Sequence, residues 1–432
     1  MSTLTDTGTV TDLNEWLELN WDPDLTVGEW WERLGLSGWA APTLPKDRYG
    51  LGLSRAEAVA AQKTITDFGA LPAPGGLGLL LAAPTIATHG TEEQARRYIS
   101  AIVVGQESWC QLFSEPAAGS DLAGLQCRAE RDGEEWVVTG QKVWTSGGQV
   151  ADMGMLLART NPDVPKHQGI TYFAFDMEQP GVEVRPLREM TGRALFNEVF
   201  LTEARVPDSA VIGGVGNGWA VANTTLAFER AGLGAGGGSG GASTAVAGSI
   251  AGDLTKRVGD LVAARTRGGS GGPGGVGGAA ALVRALASEF GVTADPTVRQ
   301  GLAQLHALTE IGRYMTLRQK ALRAGGSDLA GVGNMAKLSM SIILRLSRDL
   351  GLRIAGPRGM LHSYNTAGVA SLQGLPGGSL ASPLTEMALF AQGPQIYGGT
   401  DEIQHNILAE RVLGLPKEPS DDKTRPFREL RS

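Results

Sequence analysis

Disulfide chemistry has almost no raw material here: among 432 residues the only cysteines are Cys110 and Cys127. Two thiols cannot staple a chain of this length, so the fold must rest on buried apolar surface, and an intracellular, cytoplasmic protein is expected. Basic residues are also short, with 38 Lys and Arg against 45 Asp and Glu and a formal charge of −7. That balance argues against nucleic acid as the main partner, because phosphate backbones are held by cationic excess. The five histidines, His89, His167, His306, His362 and His405, have no ligand spacing, so no metal site is expected. No apolar run is long enough to span a membrane; the most apolar early window, 75–87, is short and broken by Gly and Pro. Met1 to Asn14 lacks a basic start and an apolar stretch, so no signal peptide is expected.

What the chain does have is 42% apolar residues, enough for a sizeable core, and 62 glycines. The glycine excess is concentrated in 232–241 and 267–278, which read as flexible, linker-like stretches. Both stretches contain a Gly-x-Ser-x-Gly pattern, but neither stands between a strand and a helix, so a serine nucleophile is rejected.

Periodicity divides the rest. Residues 12–108 read as helices: Trp30, Trp31 and Leu34 recur at helical spacing, as do Ala58, Ala61, Ile65 and Phe68, and Thr91 or Gly90 caps a helix running to Val104. From 109 to about 210 the period falls to two, with strands expected over 134–139, 153–158, 170–177, 182–184 and 198–201, the first entered through the Asp132-Gly133 turn. Helical spacing returns over 219–233, 306–324, 334–350 and 400–413, which predicts a helical bundle. Helices, then strands, then helices make a segregated α+β fold rather than alternating βαβ units.

Three segments carry letters suited to chemistry. In QLFSEPAAGSD, Gln111 to Asp121, the small Ala117, Ala118 and Gly119 let a planar or phosphorylated ligand approach the backbone, and Ser114 and Ser120 add hydroxyls. A turn without ligand fits the same letters. In GQKVWTSG, 140–147, Trp144 offers a flat stacking face beside Ser146, or is a core indole. In QIYGGTDEIQ, 395–404, Gly398 and Gly399 turn into a helix that Thr400 can cap, with Asp401 and Glu402 at its positive end. The free amides of that helix start are an alternative ligand contact.

Taken together and in order, these segments resemble the signatures of the acyl-CoA dehydrogenase family across roughly residues 25–416. The resemblance implies a helical N-terminal domain (1–108), a central β-barrel-like domain (109–215), a C-terminal four-helix bundle with a Gly-rich insert (216–416) and a tail (417–432). It implies FAD between the β domain and the bundle. Gln111, Leu112, Phe113, Ser114 and Ser120 would line the flavin and its phosphates, Trp144, Thr145 and Ser146 would flank the ring, and Gly356, Thr400, Asp401 and Glu402 would lie toward the dinucleotide end. The resemblance would place Ser120, Arg230, Tyr397 and Gly398 at substrate-facing positions. The implied reaction is α,β-dehydrogenation of an acyl-CoA thioester to the 2-enoyl-CoA, in fatty acid or other lipid metabolism. Electrons would pass to an electron-transfer flavoprotein, and the enzyme would work as a homo- or hetero-oligomer, dimer or tetramer.

Such a reaction needs a carboxylate to take the weakly acidic α-proton in a water-poor pocket, where burial raises its pKa. Many members carry that glutamate just after the tyrosine of the third segment; here the position is Gly398. Another branch places it on the first bundle helix, where the matching residue is Glu229, in LAFER. Glu229 also shares a helical face with Ala222, Leu226 and Leu233, where a carboxylate is costly unless paired or functional. A structural ion pair, with Arg230 for instance, is the competing reading. Gly398 and the helix-borne base point to a bulky, branched or ring-bearing acyl group. Two departures bear on the cofactor: Ala287 replaces an arginine, and the flavin loop reads RIAGP, 353–357, in place of Gln-x-x-Gly-Gly. Arg299 or Arg353 can substitute, or the chain is a non-catalytic or half-site partner subunit that completes only some sites of a hetero-oligomer. A flavin monooxygenase on the same fold is the remaining alternative.

Overall fold

The computed structural model describes residues 5–234, 253–267, 276–325, 327, 329–374 and 378–430. Helices α1 (Thr5–Asn20), α2 (Val27–Leu36), α3 (Arg55–Phe68) and α4 (Ala83–His89) build the first layer. Helices α2 and α3 start on reciprocal capping boxes, Thr26 with Glu29 and Ser54 with Glu57. Trp30, Trp31, Leu34, Ala58, Ala61 and Ile65 are buried as their spacing requires, whereas Phe68, on the last turn of α3, stays partly exposed. Thr91 caps the expected following helix through a third box with Gln94, and the chain stays helical to Val103 through a π turn at Ala95–Ile99.

Strands β1 (Trp109–Leu112), β2 (Arg128–Asp132), β3 (Glu135–Ser146), β4 (Met153–Arg159), β5 (Ile170–Asp176), β6 (Val182–Leu187), β7 (Phe196–Pro207) and β8 (Val211–Ile212) form one sheet. Its order is β6-β7-β3-β2-β4-β5-β8, with β1 paired to β4. Every residue of β4 is buried, which is why that strand is an apolar run rather than an alternation. Strands β1 and β2 both pair in parallel with β4, β1 at 153–156 and β2 at Arg159. The intervening segment, 113–127, therefore leaves the sheet and re-enters it on the same edge. Strand β2, RAERD, is charged and mostly exposed, so nothing in its own letters marks a strand; pairing with β3 makes it one.

Among the described residues the helices that follow are α5 (Gly218–Gly234), α6 (Val258–Arg267), α7 (Val276–Glu289), α8 (Pro296–Ala324), α9 (Val332–Ala355), α10 (Thr366–Gln373), α11 (Gly378–Phe390) and α12 (Asp401–Ile407). The bundle core joins Val283 and Leu286 of α7, Val298 and Leu305 of α8, Ile343 and Leu344 of α9, and Leu384 and Met387 of α11. Helices α7 and α11 were not anticipated by periodicity, because VGGAAALVRALASE and GSLASPLTEMALF carry too many small residues to draw a sharp stripe. Helix α5 sits differently from the bundle expectation: its Val221 and Ala222 join the core of the N-terminal and β layers. Within the expected helical stretch 306–324, Ile311 of α8 is 55% exposed.

Most of the two glycine stretches expected to be flexible, 232–241 and 267–278, lies outside the described residues. Their flanks are ordered helix instead: Gly232 to Gly234 end α5, and Gly277 and Gly278 open α7. Beyond the first stretch the chain is pinned to α2, with Val27 N donating to Lys256 O at 2.8 Å and Gly28 N to Leu254 O at 2.9 Å. Among the described residues no helix is long and apolar enough to cross a membrane.

Candidate functional site

The segment between β1 and β2 is organised by a carboxylate that the sequence reading passed over. Glu115 is 7% exposed and accepts from Lys142 Nζ at 2.8 Å, Gln126 N at 2.6 Å and Cys127 N at 2.9 Å. Lys142 is fully buried and donates also to Phe113 O at 3.1 Å. This pair clamps both ends of the 113–127 loop, leaving Pro116, Ala117, Gly119 and Ser120 exposed at its tip. Leu112 and Phe113 are buried behind it, and Ser114 is tied to the second segment by Val143 N donating to Ser114 O at 2.9 Å. The signal for Lys142 was present: it falls on the inward side of a strand, where a lysine needs a partner.

In the second segment Trp144 has φ of +61° and is 57% exposed. A bulky residue in left-handed backbone is strained and persists only where its surroundings impose it. The cause is a break in register between Lys142 and Thr145 where β3 pairs β7. The break turns the indole outward, edge-on to Phe196 at 5.8 Å. Ser146 is half-buried. The Thr145 side chain is fully buried with its hydroxyl unpartnered, and its carbonyl accepts from Asn197 Nδ2 at 3.0 Å. Asn197, also fully buried, braces the irregular turn from behind.

Glu229 projects from α5, which packs on β5, α4 and α9. The approach to β5 is close because Gly218 opens the helix; a β-carbon there would lie 2.6 Å from Thr171 C. One turn before Glu229, Thr225 Oγ1 meets Thr85 Oγ1 of α4 at 3.0 Å, and Thr224 Oγ1 meets His89 Nε2 at 2.8 Å. The helix is thereby held in rotation. Burial pushes the Glu229 carboxyl above the ordinary glutamate range, and a polar contact from Gln111 and the charge of Arg230 offset only part of the rise. The Gln111 amide nitrogen, at the end of β1, is buried without a hydrogen-bond partner of ordinary geometry. The exposed Arg230 also feels Arg411.

The third segment is a built-in part of the scaffold. Thr400 caps α12 by accepting from Ile403 N at 3.2 Å. Asp401 is engaged by the scaffold: its Oδ1 takes Lys337 Nζ and Ser341 Oγ, each at 2.8 Å. Burial alone would raise the Asp401 carboxyl, and these two donors overcome it and hold it low. Glu402 is exposed. Tyr397 is half-buried with its ring tilted against Phe390 at 6.3 Å. Gly398 has φ of +64°, a conformation that disfavours any side chain. Gly356 and Arg353 are exposed at the end of α9, and Arg299 is exposed on α8. Ala287 is fully buried in the bundle core and has no face toward a ligand.

The chain's polar and flat surfaces fit a flavin dinucleotide. An outward indole held in strained backbone, a serine two residues on, an unpartnered buried amide at Gln111 and an exposed small-residue loop with Ser120 are what a stacked ring and a phosphate arm require. The two thiols offer no competing chemistry: burial pushes Cys110 up to about 12 and Cys127 up to about 11. Among the described residues, no group of three or more His, Cys, Asp or Glu is placed to hold a metal ion.

Comparison with known proteins finds three family models along the chain: Acyl-CoA dehydrogenase, N-terminal domain at residues 11–106, middle domain at 110–203 and C-terminal domain at 278–413. Acyl-CoA dehydrogenase IpdE1 of Mycobacterium tuberculosis is 33% identical over 389 residues, covering 90% of this chain and 88% of that protein. Acyl-CoA dehydrogenase FadE34 of the same organism is 37% identical over 338 residues; the match covers 78% of this chain but spans only 39% of FadE34. Among solved structures, the Tcur3481-Tcur3483 steroid ACAD superposes with a TM-score of 0.67 at 26% identity, covering 96% of this chain and 97% of that one.

Proposed function

Since the chain belongs to the acyl-CoA dehydrogenase family, we propose that it dehydrogenates an acyl-CoA thioester between the α and β carbons with Glu229 as the base. The observation that carries this reading is a helix-borne carboxylate, raised by burial and poorly supplied with donors, beside the strand that leads into 113–127. A carboxyl raised by burial takes a proton more readily than an ordinary glutamate when the α-carbon releases it. Gly398 carries no carboxylate, which leaves Glu229 to do this work. Arg230, next on the helix and exposed, is suited to the anionic arm of CoA.

Bound FAD would supply the hydride acceptor. Trp144 and Ser146 would hold its ring, with Gln111 to Ser114 beneath, and Ser120 would face its phosphates. Because Ala287 is buried, the contact that an arginine makes at that position elsewhere in the family must come from another subunit or another residue. This favours an oligomer, and a related chain as partner is consistent with the paired Tcur3481-Tcur3483 protein. The substrate class is a bulky, ring-bearing acyl-CoA: Gly398 carries no side chain at the position where many family members carry a glutamate, and a similar protein is a steroid ACAD. Electrons would leave through an electron-transfer flavoprotein in the cytoplasm.

The deciding experiment is Glu229→Gln assayed for dye reduction against a panel of straight, branched and ring-bearing acyl-CoAs. Loss of about 10²–10⁴-fold in turnover with flavin binding retained is expected from removal of a general base. Turnover at the wild-type rate would remove Glu229 from the chemistry. Oxygen consumption without enoyl-CoA product would move the reading to a monooxygenase.

A further inference from the structure

We propose that the C-terminal tail, from Lys417 onward, is a clasp that sets the position of the 113–127 loop, with Arg159, Lys166 and Phe427 as positioning residues. This rests on reading that loop as a flavin contact. The tail lies beyond residue 413, where the match to the family's C-terminal domain ends. Its letters, KEPSDDKTRPFREL, are charged and hold two prolines, so the segment has no apolar stripe with which to fold alone. It is nevertheless seated on the β4–β5 connection: Phe427 N donates to Val164 O at 2.9 Å and Arg428 N to Pro162 O at 3.0 Å.

Two side-chain links run from the tail to the loop. In the first, Lys166 Nζ lies 2.6 Å from Asp422 Oδ2 of the tail and 2.9 Å from Asp121 Oδ2 of the loop. Burial alone would lower the Lys166 ammonium, and the two carboxylates more than offset it. In the second, the Phe427 ring lies 3.4 Å from Arg159 Cζ, covering the guanidinium face. Arg159 is 5% exposed and spends its donors on loop and connection carbonyls. Its Nη2 reaches Ala123 O at 2.7 Å, its Nε Leu125 O at 3.1 Å and its Nη1 Lys166 O at 3.0 Å. The next two loop amides, Gln126 N and Cys127 N, are those bound by Glu115. The tail thus closes a continuous polar chain: Phe427 shields Arg159, Arg159 fixes 123–125, Glu115 fixes 126–127, and Asp121 is drawn down by Lys166. With the tail gone, water reaches the guanidinium and competes for its carbonyls, and Lys166 keeps a single exposed partner.

The test uses the full chain, a truncation ending at Pro416, Phe427→Ala and Phe427→Tyr. Two readouts are taken: amide hydrogen exchange across 113–127 in flavin-free protein, and FAD affinity by quenching of flavin fluorescence. The truncation and Phe427→Ala should exchange faster at Gln126 and Cys127 and bind FAD about tenfold more weakly, equivalent to ~1.4 kcal/mol. Phe427→Tyr, which keeps the ring, should match wild type, and a peptide of residues 417–432 added to the truncated protein should restore both readouts. If the truncation fails to fold, the Phe427 pair carries the comparison. Unchanged loop exchange and unchanged FAD affinity in Phe427→Ala would overturn the clasp. Wild-type protein that binds no FAD would overturn the flavin reading instead, and loop exchange alone would then decide the clasp.

Discussion

Glu115 and Glu229 are both withdrawn from water, one on the strand side of the site and one on the helix side, and they are provisioned in opposite ways. Glu115 sits among three donors within 2.6–2.9 Å, an ammonium among them, and each of its oxygens is satisfied. Glu229 has one polar contact, from Gln111, and the charge of Arg230, and its carboxyl is raised by burial all the same. Saturating a buried carboxylate makes it a structural member, since losing its charge would strand its donors. Starving one leaves its proton affinity high, which is the property a base needs. The difference separates scaffold from chemistry more sharply than burial does, because Glu115 is the more buried of the two.

The comparison can be broken at several points, beginning with the Glu229→Gln loss of turnover described above. The next largest effect is expected at Lys142. Lys142→Met leaves the buried Glu115 carboxylate in the 113–127 loop without its cationic partner and should cost about 3–5 kcal/mol in urea unfolding. The double variant Lys142→Met with Glu115→Gln should recover much of that loss; if it does not, the pair is not the source of the cost. Asn197→Leu removes the donor behind the strained turn at Trp144 and should cost about 1–3 kcal/mol. The same change should alter the quenching of Trp144 fluorescence by added flavin, and unaltered quenching would separate Asn197 from the turn.

The smallest effect has the most telling sign. Folding raises the Glu229 carboxyl, so its contribution to stability is present below the ordinary glutamate range and is lost as pH climbs through the raised value. Glu229→Gln should therefore melt slightly above wild type at neutral pH, with the gap closing in acid. A melting curve in which the variant is less stable at neutral pH would mean that Glu229 is a paired structural carboxylate like Glu115. Wild-type turnover should decline on acidification earlier than an unperturbed glutamate would impose.

Local patterning was a good guide wherever a segment carried its own signal. Helices α2, α3 and α5, the Asp132-Gly133 hairpin and the buried strands β4 and β5 were all legible, because spacing, caps and turn residues act within a few positions of one another. Helices α7 and α11 and strand β2 were not, since small or charged residues take their conformation from what they pack or pair against. The same divide runs through the site: Trp144 and Glu229 stood out by residue type and register, whereas the committed state of Asp401, the inward turn of Thr145 and the bracing by Asn197 depend on partners 48 to 64 positions away. The amino-acid order alone determined the layer sequence, the three segments and the one candidate base. Only the tertiary structure decided which carboxylate is satisfied and which is left wanting, because a hydrogen-bond inventory is set by what distant strands and helices bring within 3 Å, and no local pattern records it.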